Sequence, residues 1–288
     1  MQVFDLISGM VRALNLFHIC LDFFNIAIRR RVPVYYFYKE KNVGDLLTPY
    51  LVEKITGKPV HNVKSRKFGH LLGVGSMIHR AKRNSDIWGT GTLDYTIGSQ
   101  FDVSELKVHA LRGHLTAEIL YRGKGYLDQC VLGDPAILMP DFYKPAVEKQ
   151  YKVGVIPHYV DFGSSSIVKM SDVHVINVRK DPEEFVRELL MCDYILSSSL
   201  HGLILADAYG IKNKWVSFSN KVTGGGFKFR DYYSTTEAKG ESCLTIDSRD
   251  DFKNAVNKIE DYASVKSFSE SKDRLISSFP DRYFGFVK

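Results

Sequence analysis

A chain of 288 residues is long enough for roughly two domains of about 150 residues each. With 44% hydrophobic and 25% charged residues it carries a core, which excludes wholesale disorder. Its 22 glycines and nine prolines are dispersed, and no repeat is found at a period of roughly 20–50 residues, so collagen-like, low-complexity, solenoid and propeller architectures are out. The net charge of +6 suits an anionic small molecule, an anionic membrane surface or nucleic acid, and does not choose among them. No RNP, zinc-finger or helix-turn-helix pattern is present, and no nucleic-acid partner is expected.

Residues 1–31 form an expected N-terminal amphipathic helix. Within residues 10–28 the polar side chains Arg12, Asn15, His18, Asp22 and Asn25 recur at steps of three or four, while Ala13, Leu16, Phe17, Cys20, Phe23, Phe24 and Ala27 fall on the other side. Such a stripe argues against a transmembrane span, and the arginines at 29–31 follow the apolar run instead of preceding it as in a signal peptide. Two readings stay open: a helix packed on the core, and a helix lying in a membrane interface with its arginines near anionic head groups, giving a peripheral membrane contact through residues 10–31. Either places the protein in the cytoplasm, with the second at the cytoplasmic face of the inner membrane. Cys20, Cys130, Cys192 and Cys243 form no CxxC pair, and three of them read as small buried hydrophobes of a reducing compartment.

From Val32 onward, short apolar β runs alternate with glycine loops and amphipathic helices. Strands are expected at 34–38, 70–74, 87–88 and 106–111, with a helix from about 46 to 56 stopped by Gly57. A second series follows the polar stretch 145–150: strands at 152–156, 173–178, 194–198 and 214–218, a helix opened by Asp181 with Glu184 completing a capping box, a helix over 203–209, a flexible glycine run at 223–226, and a largely helical tail over 249–278. Two rounds of alternation predict an α/β protein of two doubly wound (Rossmann-like) domains, residues 32–145 and residues 146–288 with the helical tail. Ligands in such sheets bind beyond the carboxyl ends of the strands, where the glycine and histidine motifs fall.

Each motif has a structural and a chemical reading. Gly73-Val74-Gly75-Ser76 and Gly89-Thr90-Gly91 read first as tight turns, and otherwise as loops bringing backbone amides to an anion. Asn42-Val43-Gly44-Asp45 reads as an Asx turn with Asp45 as cap, or as a carboxylate at a sheet edge that accepts a proton from a sugar hydroxyl. His201 is delivered by Ser197-Ser198-Ser199 to a helix N-terminus, where it donates to an anion or acts as an acid. Arg112 follows a strand and reads as a bidentate clamp for carboxylate or phosphate, or as a surface ion pair. His158, after Ile156-Pro157, has a similar placement. No acidic pair or histidine cluster has metal-ligand spacing, so no metal is expected.

In this order Asn42-Val43-Gly44-Asp45, Gly73-Val74-Gly75-Ser76, Trp88-Gly89-Thr90-Gly91, Leu111-Arg112-Gly113, Gly133-Asp134-Pro135-Ala136, Gly154-Val155-Ile156-Pro157-His158 and Ser197 through Gly202 resemble the polysaccharide pyruvyl transferases over residues 34–235. The resemblance implies a two-domain arrangement similar to GT-B glycosyltransferases. It also implies transfer of pyruvate from phosphoenolpyruvate to a sugar of a bacterial surface polysaccharide precursor, as a cyclic ketal, on a nucleotide-linked or lipid-linked acceptor such as a lipid-linked oligosaccharide. No cofactor is implied beyond phosphoenolpyruvate as donor substrate. By this resemblance His201 is the acid or phosphate donor, Arg112 the anion clamp, Asp45 the base and Asn42 the residue orienting the acceptor; Gly75, Ser76, His158 and Lys228 complete the substrate contacts. Ser199 stands where many relatives carry an arginine, so Arg179, Lys228 or Arg230 is expected to replace that cation. The alternative reading is a GT-B glycosyltransferase using a nucleotide sugar. A third is a non-catalytic partner in a polysaccharide assembly complex.

Overall fold

The computed structural model describes residues 2–65, 67–100, 106–122, 130–268 and 272–284. Helix α1 (Gln2–Phe23) runs into a π-helical turn, Phe24–Ile28. The first sheet unit follows: β1 (Val32–Val34), α2 (Val43–Thr56), β2 (Val60–Asn62), β3 (Leu71–Leu72), β4 (Asp86–Trp88), α3 (Tyr95–Gly98), β5 (Lys107–Leu111), α4 (His114–Tyr121), β6 (Val131–Leu132) and α5 (Met139–Phe142). The second contains β7 (Tyr151–Ile156), β8 (Val173–Val175), α6 (Pro182–Leu190), β9 (Cys192–Ser197), α7 (Leu200–Ala208), β10 (Lys212–Ser217), α8 (Phe227–Tyr233), β11 (Leu244–Thr245), α9 (Arg249–Asn257) and α10 (Ile259–Tyr262). Helix α11 (Lys272–Ser277) closes the order.

The strands form two parallel sheets, β2-β1-β3-β4-β5-β6 and β11-β10-β9-β7-β8. Parallel pairing needs crossover segments, and the helices supply most of them while covering the sheet faces. Each sheet reverses its winding once, between β1 and β3 in the first and between β7 and β9 in the second. A crevice opens at the carboxyl ends of strands at such a point. The expected α/β class, with two doubly wound sheets, is therefore the observed one.

Helices α2, α6 and α7 pack together, so one apolar cluster runs unbroken from Leu47 and Leu51 of the first unit to Phe185, Leu203 and Ile204 of the second. Tyr50 donates to Glu183 Oε1 at 2.8 Å across the same seam. Burial on this scale makes the seam part of the core and not a loose domain contact.

Local departures from expectation have identifiable causes. Residues 35–38 leave the sheet early because Tyr35 and Phe37 turn onto a separate cluster around Leu72 and Ile87. Asp181 is the N-cap position of α6 but makes no side-chain cap; it pairs with Lys41 at 3.0 Å, and Glu184 with Lys180 at 2.7 Å, so the capping box does not form. The glycine run ends by starting α8, with Gly226 at φ +79°.

The tail also behaves differently. The expected helical stretch crosses residues 269–271, which lie outside the described residues, but α11 packs on the first unit although sequence order assigns it to the second. Leu275 is fully buried there, its carbonyl accepts from Trp88 Nε1 at 3.0 Å, and Tyr283 donates to Asp86 Oδ2 at 2.6 Å. If this return is integral to the first unit, Leu275→Ala lowers global stability by about 2–5 kcal/mol in a urea titration.

Candidate active site

The loops at the two winding reversals face each other. From the first unit, Asn42 sits at the N-cap of α2, where its Oδ1 accepts from Gly44 N at 3.0 Å. Asn42, not Asp45, makes the cap, which leaves the Asp45 carboxylate on the cleft wall. Burial pushes the Asp45 carboxyl up to about 6, although the charges of His201 and Lys228 pull it down. The turn after β3 contributes Gly75, at φ +104°, and Ser76.

From the second unit, β9 leads directly into α7. Ser197 Oγ accepts from Ser199 N at 3.0 Å, and Ser198 Oγ accepts from His158 N at 2.8 Å, so both hydroxyls shape the turn. Ser199 occupies the N-cap without a side-chain cap bond. The first amides of α7 therefore remain as donors beside the cleft, at the positive end of the helix dipole.

His201 is the second residue of α7 and is buried in a slot made by the first unit. A Cβ placed on Gly44 would lie 1.9 Å from His201 Nδ1, so only glycine admits the imidazole. On the other side His201 Nε2 lies 3.7 Å from Asp134 Oδ2, too far for a hydrogen bond, and both atoms are buried without a hydrogen-bond partner. Asp134 is held by its other oxygen, which accepts from Ala136 N at 3.0 Å. With Nε2 nearest Asp134, Nδ1 is the nitrogen that faces Gly44. The Asp134 carboxylate thus bounds the imidazole on the side opposite Gly44.

The resulting cleft encloses about 260 Å³, small against the roughly 300–1,000 Å³ of typical ligand pockets. Asn42, Asp45, Gly75, Ser76, His158, Ser199, His201 and Lys228 all line it. Lys228, from α8, is lowered to about 8 by burial and by the nearby Arg112 charge, which Asp45 partly offsets. Burial, with the Lys228 and His201 charges, lowers His158 to about 3, so its ring is neutral at ordinary pH. Arg80 lines the cleft as well, a cation that no sequence motif announces.

Arg112 stands behind this wall. It is fully buried, donating Nε to Asp231 Oδ2 at 2.8 Å, Nη1 to Ser76 Oγ at 2.6 Å and Nη2 to Thr92 O at 2.7 Å. Its guanidinium therefore holds the Ser76 turn and is not itself on the cleft lining. Of the three cations expected to stand in for an arginine at 199, Lys228 alone lines the cleft. Arg179 pairs with Glu40 at 2.8 Å, and Arg230 lines a separate groove with the glycine run. Asp134 stands in the Gly133-Asp134-Pro135-Ala136 motif, but neither its role nor that of Asp231 is legible in sequence, because their neighbours are distant: His201 for one, Arg112 and Thr116 for the other. A lone aspartate in a loop or a short helix gives no such signal.

Two doubly wound sheets thus meet at their reversal points around an imidazole, a lysine and a helix N-terminus, an arrangement whose chemistry suits an anion. Residues 102–220 match the family described as polysaccharide pyruvyl transferase. Over 217 residues, 72% of this chain and 75% of the relative, the sequence is 32% identical to an uncharacterized protein of Acanthamoeba polyphaga mimivirus. Over 173 residues, 57% of this chain and 53% of the relative, it is 26% identical to the succinoglycan biosynthesis protein ExoV of Rhizobium meliloti. The chain belongs to the polysaccharide pyruvyl transferase family.

The glycine slot makes a test that needs no substrate. Gly44→Ala is expected to cost about 1–3 kcal/mol through overpacking. Most of that cost disappears in a His201→Ala background, giving a clear non-additivity in denaturant melts.

Proposed function

We propose that this protein transfers the three-carbon unit of phosphoenolpyruvate to a sugar of a polysaccharide precursor, forming a cyclic pyruvate ketal and releasing inorganic phosphate. The observation that carries this reading is the convergence of Lys228, the uncapped N-terminus of α7, His201 and Asp45 on one small cleft. A compact ligand with a carboxylate and a phosphate suits such a set: charge-assisted donors for both anions, and an acid–base pair for the carbon chemistry. Membership of the family and the likeness to a succinoglycan biosynthesis protein support a polysaccharide acceptor.

In the proposed reaction the phosphate lies against the α7 amides and Lys228. A proton from His201 goes to the methylene carbon, C3, while a sugar hydroxyl oxygen bonds to C2 and yields its proton to Asp45. The C2–O bond to phosphate then breaks, the electron pair leaves with phosphate, and a second hydroxyl bonds to C2 as it loses its proton. Overall C3 gains one proton, two hydroxyls lose one each, and the second proton leaves with phosphate. In this reading Asn42 and Ser76, which line the same cleft, orient the acceptor and donor. His158, neutral and beside Tyr159 at 4.4 Å between ring centroids, offers a hydrogen bond without adding charge.

Ligand-induced stabilisation tests the donor. Phosphoenolpyruvate raises the melting temperature of the wild-type chain and leaves those of His201→Ala and Lys228→Met nearly unmoved. A shift produced by UDP or GDP and not by phosphoenolpyruvate would replace this reading with nucleotide-sugar glycosyl transfer.

The pH dependence has a definite sign. Asp45 must be ionised to accept a proton, so transfer rises as pH climbs through about 6. Lys228 must be charged to hold phosphate, so transfer falls as pH passes about 8. Lys228→Arg keeps the charge and removes the alkaline limb from a pH profile of phosphate release.

A further inference from the structure

Helix α1 docks the wrong way round for a soluble protein. The C-terminal part of its polar edge faces the protein, while residues 10–17 are exposed on every side: Asp22 is fully buried, bonding His61 Nε2 at 2.7 Å and accepting from Ser65 N at 2.7 Å and Lys64 N at 3.2 Å. Asn25 is buried on the same edge, and His18 is half-buried. The opposite side, Ala13, Leu16, Phe17, Cys20, Phe23, Phe24 and Ala27, is exposed at each of these positions; Leu16 and Phe17 are 63% and 60% accessible. Met10 and Ile28 extend the same patch. Single exposed apolar residues are ordinary, but a contiguous row on one helix marks a surface that something covers.

We infer that this face is covered by an anionic lipid bilayer, with α1 lying in the plane of the interface between the membrane and the body of the protein. Charge argues for this occupant: Arg12 is exposed on the helix, Arg29 and Arg30 are exposed just beyond it, and the single acidic residue between 10 and 31 is the buried Asp22. Phenylalanines beside arginines match the depth at which acyl chains give way to head groups. The stretch Met10–Ile28 is long and apolar enough by length and composition to cross a bilayer. Spanning would strip Asp22 from His61 and the two amides and carry a carboxylate into hydrocarbon, so the in-plane arrangement, which keeps the clamp, is the favoured one. This inference does not rest on the donor chemistry.

Flotation of the full chain with vesicles tests it, reading binding alone. Phosphatidylcholine vesicles containing phosphatidylglycerol bind the protein about tenfold or more better than phosphatidylcholine alone, and added salt weakens the difference. The triple variant Leu16→Ser, Phe17→Ser, Phe23→Ser alters exposed positions only, keeps its fold by circular dichroism and loses vesicle binding. Arg29→Gln with Arg31→Gln reduces the preference for anionic vesicles while the apolar face is intact. Equal flotation of wild type and triple variant, or no flotation of either, overturns the inference. So does a concentration-dependent dimer in sedimentation that the triple variant abolishes without any lipid binding, since a second copy would then be the cover.

Discussion

Arg112, at the carboxyl end of β5, donates to Asp231 on α8 inside a fully buried contact, and Asp231 also accepts from Thr116 N at 2.8 Å and Thr116 Oγ1 at 2.6 Å. The pair therefore joins the two sheet units and caps the N-terminus of α4 at once, where a carboxylate complements the helix dipole. A backbone Cβ at Gly113 would meet Asp231 O at 1.9 Å, so the two elements touch without room for a side chain. Removing one partner of such a pair leaves a buried charge, at a cost of about 3–5 kcal/mol. The rest of the cleft inherits its geometry from this contact. The same guanidinium fixes the Ser76 turn and the carbonyl of Thr92, and the position of α8 that it sets is what turns Lys228 toward Asp45 and His201.

The second constraint is the slot for His201. The imidazole belongs to the second unit, while Gly44 and Asp134, which bound it, belong to the first. Neither unit alone makes the site, which accounts for the continuous apolar core at the seam: a hinge there would separate the ring from Asp134. Val43 N bonds Val178 O at 2.7 Å on the same seam, so even the start of α2 is tied across it. The chemistry proposed above needs an acid, a base and an anion cradle held at fixed spacing, and rigid elements hold such spacing better than loops.

Much of this was legible in the chain because it is local. Strand, polar turn and helix start follow one another within a few residues at Asn42–Asp45 and at Ser197–His201, so both the elements and their carboxyl-end location could be read. What could not be read depends on contacts far apart in sequence. Arg112 reads as an anion clamp or a surface ion pair because nothing near it announces Asp231, 119 positions away. Strands of two or three residues, such as β2, β6 and β11, are too short to show alternation, and α11 gives no hint that it crosses back to Trp88. Helix α1 shows the limit of periodicity most plainly. Residues 10–17 are exposed on both faces, and only from His18 on does one face turn inward, where Asp22 finds His61 and the amides at 64 and 65.

The central claim is that a small dianion binds against the imidazole at the seam. Following the ring resonances of His201 by NMR, assigned through a His201→Gln variant, while phosphoenolpyruvate is titrated in tests it directly. The account predicts a saturable shift of that ring, matched by Lys228 and absent from residues of the Arg230 groove. Phosphoenolpyruvate binding that leaves His201 unmoved while the Arg230 groove responds would contradict it.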